Sequence, residues 1–273
     1  MILAVSALKG GPGKTTFAVN VAAGLALRIS KRTPRPRVLL VDLDPQAHAA
    51  YWALGKSRGD PIPVGEEDLS THLLGTAHGS PLDIIHPAAF PASANMDVVL
   101  VRPQAMAQAE RVLTSDLAEG IYALEEYLEP LRSAYAVIVV DTPPSAGAMT
   151  LNALVAADAV LIPMELTKMG VDGLRETLAV VEKIRRRHNP QMRIVGIAPN
   201  RCDFRRSETN DIYRFMRQQY KDLVLLPVAE RAQIAYASSL RKDIFSHLGS
   251  TQDQAVVEMG RVVDAVVQRL GLR

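Results

Sequence analysis

Apolar residues along the chain follow two alternating patterns. Short unbroken runs of aliphatic side chains are typical of buried parallel strands, and apolar residues three and four positions apart are typical of helices packed on a sheet. The runs predict seven strands, near residues 2–7, 37–42, 97–101, 136–141, 159–163, 193–198 and 223–226. Because the two patterns alternate, we expect an α/β fold with a mostly parallel sheet and helices on both faces.

Two stretches are clearly helical in pattern, and one region is irregular. Apolar spacing predicts a helix over 117–131 and an amphipathic helix over 254–270 that packs on the sheet. Glycine and proline interrupt residues 53–95, where one short helix fits at about 66–76. Such a region is as typical of a lid or partner surface as of an ordinary connection.

Length and composition narrow the class of protein. The 273 residues fit one α/β domain, which we expect to span 1–273. Cys202 is the single cysteine, so a disulfide framework or a cysteine-paired zinc or iron–sulfur site within one chain is excluded. No apolar run approaches the roughly 20 residues of a membrane span, and the start lacks the pattern of a secretion signal. We therefore expect a cytoplasmic protein.

The candidate chemistry begins directly after the first predicted strand. There the chain reads Lys9-Gly10-Gly11-Pro12-Gly13-Lys14-Thr15-Thr16 and continues into a helical pattern. The glycines let consecutive backbone amides approach a polyphosphate, and the start of the helix adds further unpaired amides. The Lys14 ammonium can reach the β- and γ-phosphates, and the Thr15 hydroxyl can ligate Mg²⁺. The segment predicts a phosphate-binding loop.

Lys9 departs from the usual form of this loop. The spacing G-x-x-x-x-G-K-[ST] would place a glycine at position 8, where this chain has Leu8. Lys9 is either a solvated loop lysine or a second cation aimed at phosphate. Because Lys14 already serves the local phosphates, the second role would favour a nucleotide held by a neighbouring subunit.

Two further apolar strands end in carboxylates. The run 38–41 leads into Asp42-Leu43-Asp44-Pro45-Gln46, and the run 136–140 leads into Asp141-Thr142-Pro143-Pro144. Ligands of open α/β sheets bind at the carboxyl ends of strands. Asp141 at such an end can hold Mg²⁺, commonly through water. Asp42 can equally pair with a loop lysine, interact with a magnesium-bound water or take a direct catalytic part.

Together these motifs resemble the ParA/MinD family of deviant Walker A ATPases, whose loop reads KGGxGKT. The resemblance implies a P-loop NTPase fold, ATP and Mg²⁺ as cofactors, and a homodimer that forms on ATP binding, in which each Lys9 reaches the partner's ATP. It gives Asp44 the task of positioning the attacking water and makes Asp141 the Walker B aspartate. It also assigns adenine contact to Asn200, since an amide offers both a donor and an acceptor; the alternative is an asparagine that only forms the turn after Pro199.

Basic residues concentrate in the last third of the chain and suggest what the ATP cycle serves. Arg231 lies in the segment 227–234, which resembles a stretch of DNA-binding ParA proteins. The candidate DNA contacts are Arg205, Arg206, Arg231, Arg241 and Lys242. The resemblance implies a small ParA-type partition ATPase that binds double-stranded DNA non-specifically in the nucleoid. A ParB-like partner would stimulate hydrolysis and return the dimer to monomers.

Three alternatives stay open. A MinD-like ATPase would cycle on a membrane, but segment 254–270 carries Glu258 and Asp264 on its polar side and lacks a large aromatic anchor. A ligase resembling dethiobiotin synthetase would need a substrate pocket more than a lysine acting in trans, so Lys9 disfavours it. The last alternative is an ATP-locked scaffold without turnover.

Overall fold

The computed structural model describes residues 1–29, 37–57, 59–62, 65, 67–249 and 252–272. Within these residues one seven-stranded sheet has the order β3-β4-β2-β5-β1-β6-β7. The strands are β1 (Ile2–Val5), β2 (Val38–Asp42), β3 (Ile85–Pro87), β4 (Met96–Val99), β5 (Val137–Asp141), β6 (Ala159–Glu165) and β7 (Arg193–Asn200). Every pairing is parallel except that of β3 with β4, which confirms the mostly parallel α/β fold.

Helices connect the strands and cover the sheet. They are α1 (Lys14–Ile29), α2 (His48–Ala53), α3 (Leu69–Leu73), α4 (Pro103–Ser115), α5 (Leu117–Gly120), α6 (Ala123–Leu128), α7 (Ala148–Ala156), α8 (Lys168–Arg187), α9 (Ser207–Tyr220), α10 (Ala232–Ser239), α11 (Ile244–Leu248) and α12 (Gln254–Leu270). Helix α12 contacts α1 and β7, as predicted for the C-terminal segment. At Gly24 of α1 a Cβ would lie 2.6 Å from Cγ2 of Val263, so glycine permits this close helix packing.

The register of the central strands brings the candidate chemistry together. Val5 pairs with Asp141 across β1 and β5, and Asp42 pairs with the same Asp141 across β2 and β5. Because parallel strands end at the same edge of a sheet, the loop after β1 lies beside both carboxylates. All three strands are buried throughout, as expected for strands covered on both faces.

The prediction of a strand over 223–226 is wrong. The chain forms a short 3₁₀ helix, Lys221–Leu223, and then a single parallel bridge between Val224 and Ile197. Before the bridge, the Arg269 guanidinium donates to the carbonyls of Val195 (2.6 Å) and Asp222 (2.5 Å), and after it the Leu225 amide still donates to the Ile197 carbonyl at 2.8 Å. The Arg269 side chain thus occupies the edge of β7 before the bridge, and the pairing after it is too irregular to form a strand.

The helix predicted over 117–131 is broken into α5, α6 and a 3₁₀ turn at Glu129–Leu131. Gly120 packs so closely on α4 that a Cβ there would lie 2.7 Å from the Leu113 carbonyl oxygen. Asn152 caps the break, donating to the Gly120 carbonyl (2.6 Å) and accepting from the Leu124 amide (2.9 Å).

Within the irregular region the structure shows a shorter helix and an additional strand. The helix predicted at 66–76 is α3, which starts after the capping residue Asp68; Glu66 lies outside the described residues. The region also contributes β3, the antiparallel edge strand, which the apolar pattern did not predict. Only three residues long and ending in a proline, β3 offers too little alternation to be recognised.

Candidate functional site

The loop between β1 and α1 has a conformation that requires glycine. Gly11 and Gly13 have φ values of 100° and 88°, which side-chain-bearing residues rarely adopt. At Gly13 a Cβ would also lie 2.3 Å from Nδ2 of Asn200. Lys14, the first residue of α1, is buried, and its Nζ donates to the Lys9 carbonyl oxygen at 3.1 Å. The loop therefore places a buried ammonium at the N-terminus of a long helix.

Burial lowers the pKa of Lys14, while the carboxylates of Asp141 and Asp44 act in the opposite direction. The lysine thus lies in a cluster that includes both carboxylates. A polyphosphate bound here would add negative charge and favour the charged ammonium.

Asp141 has the features of a magnesium-binding carboxylate. It is fully buried, and neither of its oxygens has a hydrogen-bond partner among the described residues. Burial raises its pKa to about 7, opposed by the Thr15 side chain and the Lys14 ammonium. A buried carboxylate close to a hydroxyl and an ammonium, with no well-formed hydrogen bond of its own, fits a hard cation that takes oxygen ligands. Thr15 and Asp141 would supply protein oxygens, with phosphate and water completing the shell.

Asp42 organises the chain that follows β2. Its Oδ1 accepts from the Asp44 amide (2.9 Å), and its Oδ2 accepts from the Ala50 amide in α2 (3.0 Å). Burial and the neighbouring Asp141 raise the pKa of Asp42 well above its usual range. With both oxygens bonded to backbone, this carboxylate fixes the position of Asp44 and of helix α2.

Asp44 shares a cavity with the glycine loop. The cavity holds about 270 Å³ and is lined by loop residues together with Asp44, Pro144 and Arg201. Asp44 accepts from the Gln46 amide at 2.9 Å and is only partly buried. A carboxylate at the rim of such a cavity can orient a water toward a bound phosphate.

Glu110 is a site residue that the sequence analysis missed. It lies on α4, and its Oε1 is 3.0 Å from the position a Cβ would take at Gly147 in the loop after β5. Burial raises its pKa, and the charge of Asp44 adds to the shift. Glu110 thus faces both carboxylate-bearing loops. No motif marks it, because it is one polar residue on an ordinary amphipathic helix.

The Lys9 side chain extends to a neighbouring cavity. Its Nζ donates to the Met169 carbonyl at 3.2 Å, and its methylenes pack on Gly173, where a Cβ would lie 2.7 Å from Lys9 Cδ. This cavity holds about 390 Å³ and is lined by Lys9, Glu165 and Glu208 among others. Met169 at its rim is 71 % exposed. The side chains of Lys9 and Lys14 therefore line two different cavities.

Asn200 and Arg201, at the end of β7, donate hydrogen bonds to the backbone of the glycine loop. Asn200 is buried and donates from Nδ2 to the Pro12 carbonyl at 2.9 Å. Arg201 donates to the Gly11 carbonyl at 3.2 Å and pairs with Glu165 at 3.3 Å. Arg201 was not predicted as a site residue, although its place directly after Asn200 at a strand end is a usable signal.

The candidate DNA contacts fall into two places. Arg205 and Arg231 line one open cavity of about 590 Å³. Arg205 and Arg206 both pair with Asp203, and Arg231 pairs with Glu258 of α12 at 2.6 Å. The remaining two, Arg241 and Lys242, lie in a turn packed on α2, where the Lys242 carbonyl accepts from Nε1 of Trp52 at 3.0 Å.

Comparison with known proteins identifies the family. The sequence profile described as "AAA domain" matches residues 1–194. The chromosome-partitioning ATPase Soj of Thermus thermophilus is 33 % identical over 247 residues, 90 % of this chain and 87 % of Soj. The chromosome partitioning protein ParA of Myxococcus xanthus is 30 % identical over 84 % of this chain and 75 % of that protein. The chain belongs to the ParA/MinD family of ATPases.

A solved structure supports the fold assignment in this ParA/MinD member. Cobyrinic acid a,c-diamide synthase of Mycobacterium smegmatis, crystallised with an ATP analogue and magnesium, has a TM-score of 0.77 and 27 % identity. The similarity covers 99 % of this chain and 95 % of that one. Among the described residues of the present chain, no helix is long and apolar enough to cross a bilayer.

Proposed function

We propose that this chain is a partition ATPase of the small ParA type. As one ATPase domain over residues 1–273, it binds Mg-ATP, dimerises on ATP, and as a dimer binds double-stranded DNA without sequence preference. A ParB-like partner stimulates hydrolysis, which returns it to monomers. Such a protein works in the cytoplasm, associated with the nucleoid.

The main support for the proposal is that the side chains of Lys9 and Lys14 line two different cavities. Lys14 is buried beside Asp141, whereas Lys9 lines a separate, partly open cavity. A cation directed away from its own phosphate site is available to a nucleotide bound across a two-fold interface. In other nucleotide hydrolases, a cation supplied in trans contributes about 10³–10⁵ in rate.

Each remaining site residue has a distinct task in the proposed cycle. Lys14 neutralises charge on the β- and γ-phosphates, and Thr15 and Asp141 hold Mg²⁺, which shields the charge that develops on the phosphate oxygens. Asp44 orients the attacking water, and Asp42 holds Asp44 in place through its amide. Asn200 supports the loop at Pro12 and contacts the adenine edge.

The synthase of M. smegmatis favours a second candidate function, an ATP-dependent ligase acting on a small molecule. The two functions differ in what the enzyme needs for turnover. A ligase consumes ATP only when its own substrate is present, whereas a partition ATPase turns over ATP alone and faster with DNA and partner. The Soj relative, at 33 % identity, favours the partition function.

The test is sedimentation with long duplex DNA and, separately, with anionic liposomes, each with and without Mg-ATP. We expect ATP-dependent pelleting with DNA, none with liposomes, and basal ATP turnover without any small molecule. Lys14→Ala should pellet with neither. Binding to liposomes in place of DNA would establish a MinD-like ATPase, and ATP turnover absent under all conditions would contradict the proposal.

A further inference from the structure

Helix α2 is attached to the carboxylate cluster of the candidate site. Its Ala50 amide donates to Oδ2 of Asp42 at 3.0 Å, and the other oxygen of Asp42 holds the Asp44 amide at 2.9 Å. The helix is only six residues long, and every residue after His48 is buried. The carboxylate of Asp42 therefore links the Asp44 segment directly to α2.

The other side of α2 contacts a turn far along the chain. Trp52 is buried, and its indole Nε1 donates to the Lys242 carbonyl at 3.0 Å across 190 residues of sequence. Helix α1, which starts at the phosphate loop, contacts the same turn: Asn20 Oδ1 accepts from the Ile244 amide at 2.8 Å, and Asn20 Nδ2 donates to the Thr16 carbonyl at 2.8 Å. Both helices that leave the candidate site thus bond to the turn at 241–244.

The turn contains a strained backbone residue and buried polar atoms without hydrogen-bond partners among the described residues. Arg241 has a φ of 56°, a left-handed conformation that is disfavoured for a residue with a Cβ. Its Nε is buried without a hydrogen-bond partner among the described residues, and so is Oδ2 of the neighbouring Asp243. Ala47, which precedes α2, also has a left-handed φ, 53°. Strained backbone residues persist only where the surrounding structure holds them, and they cluster at functional sites and switch regions.

We propose that α2 is a relay that transmits the state of the Asp42–Asp44 segment to the Arg241–Lys242 turn, through the hydrogen bond from Trp52 to the Lys242 carbonyl. The Asn20 bond fixes the far side of the turn to α1, so movement of α2 bends the turn between the two anchors. The inference rests on the proposed function, in which the loop binds nucleotide and Arg241 and Lys242 contact DNA. It makes Trp52 a positioning residue that couples the two.

Hydrogen exchange tests the relay without any DNA. Amide exchange is measured with and without Mg²⁺ and a non-hydrolysable ATP analogue in the wild type, in Trp52→Phe and in Tyr51→Phe. Trp52→Phe keeps a buried aromatic ring and removes the donor, together with part of the buried ring volume. Tyr51→Phe is the matched control, a buried aromatic residue of the same helix. Denaturant unfolding of each variant separates loss of coupling from loss of stability.

In the wild type we expect the analogue to change exchange at the loop and, about 5- to 150-fold, at residues 241–246. Tyr51→Phe should keep both changes, and Trp52→Phe should keep the change at the loop but lose most of the change at the turn. Since Trp52 is the chain's one tryptophan, its emission should also shift with the analogue in the wild type.

Each other outcome decides against the relay. If the turn of Trp52→Phe responds as in the wild type, the indole hydrogen bond does not carry the signal. If the loop of the wild type is protected and its turn is unaffected, the site and the turn are not coupled. If the loop itself is unprotected in the wild type, the proposed nucleotide site is wrong and the relay with it.

Discussion

The Lys14 ammonium donates to the backbone carbonyl of Lys9 at 3.1 Å, while the Lys9 side chain reaches the Met169 carbonyl at 3.2 Å. The two lysines are therefore linked through the backbone but point into different cavities. The buried one lies where phosphates and Mg²⁺ would bind, and the other lines a second cavity with exposed Met169 at its rim. Different outcomes are expected when each is removed.

Lys14→Ala should lose most of its affinity for ATP, because no other ammonium is buried in the cluster with Asp141 among the described residues. Calorimetric titration measures this, and Lys168→Ala, at the rim of the second cavity, is the control. Undiminished ATP binding in a folded Lys14→Ala protein would remove Lys14 from the site.

Lys9→Ala should bind ATP nearly as well as the wild type but fail to dimerise and to hydrolyse it. The reason is that its ammonium lies outside the cavity that holds Lys14 and Asp44. Light scattering with Mg-ATP should show monomers. A dimer of normal strength with normal turnover would mean that Lys9 is an ordinary loop lysine.

Asp44→Ala should bind ATP and form dimers that persist, because the step that positions water is slowed while the phosphate contacts stay intact. Turnover assays and light scattering over time measure this. Glu110→Gln is an informative companion, since it removes a neighbouring charge without touching the glycine loop. Turnover of Asp44→Ala within about twofold of wild type would transfer the role to another residue.

Magnesium-dependent nucleotide binding should depend on pH through Asp141. Its raised pKa of about 7 means that the metal-free carboxyl is largely protonated at pH 6 and ionised at pH 8. Mg²⁺ takes the ionised form, so its apparent affinity should rise by up to about tenfold per pH unit below 7 and level off above. The affinity is measured by titrating Mg²⁺ at fixed nucleotide from pH 5.5 to 8.5. A flat profile in the wild type would contradict this role.

The same raised pKa has a consequence for stability. The folded state holds a proton more tightly than the unfolded state, whose carboxyl titrates near its usual value. Without Mg²⁺, the protonated Asp141 carboxyl therefore stabilises the fold. This stabilisation is complete at a pH below the pKa of the unfolded carboxyl and is lost as the pH rises through the folded-state pKa of about 7. The melting temperature of Asp141→Asn, measured by thermal unfolding without Mg²⁺, should not show this decrease with rising pH.

Arg231→Ala should weaken binding to all duplexes alike and reduce the salt dependence of binding. The structure supplies a matched control in Glu258→Gln, which removes the negative charge facing Arg231 and leaves the cation in place. We expect that variant to bind DNA at least as tightly as the wild type. Equal loss in both would indicate that the ion pair matters for packing alone.

Much of the site could be predicted because its chemistry lies in short motifs at the ends of buried strands. Asp42 and Asp141 follow unbroken aliphatic runs, and the parallel register places them side by side. Relationships between distant segments could not be predicted this way. The pairing of Arg231 with Glu258, the contact of Glu110 with the loop at Gly147, and the bond from Trp52 to Lys242 each depend on tertiary packing.

In the proposed cycle ATP switches on DNA binding by making a dimer, and a DNA-binding titration checks this step. The affinity for a fluorescent duplex is measured by anisotropy across a salt series, with and without Mg²⁺ and a non-hydrolysable ATP analogue, in the wild type and Lys9→Ala. We expect at least about tenfold tighter binding with the analogue in the wild type only, with log K falling linearly against log salt. Equal affinity with and without the analogue, or a Lys9→Ala protein that responds like the wild type, would contradict it.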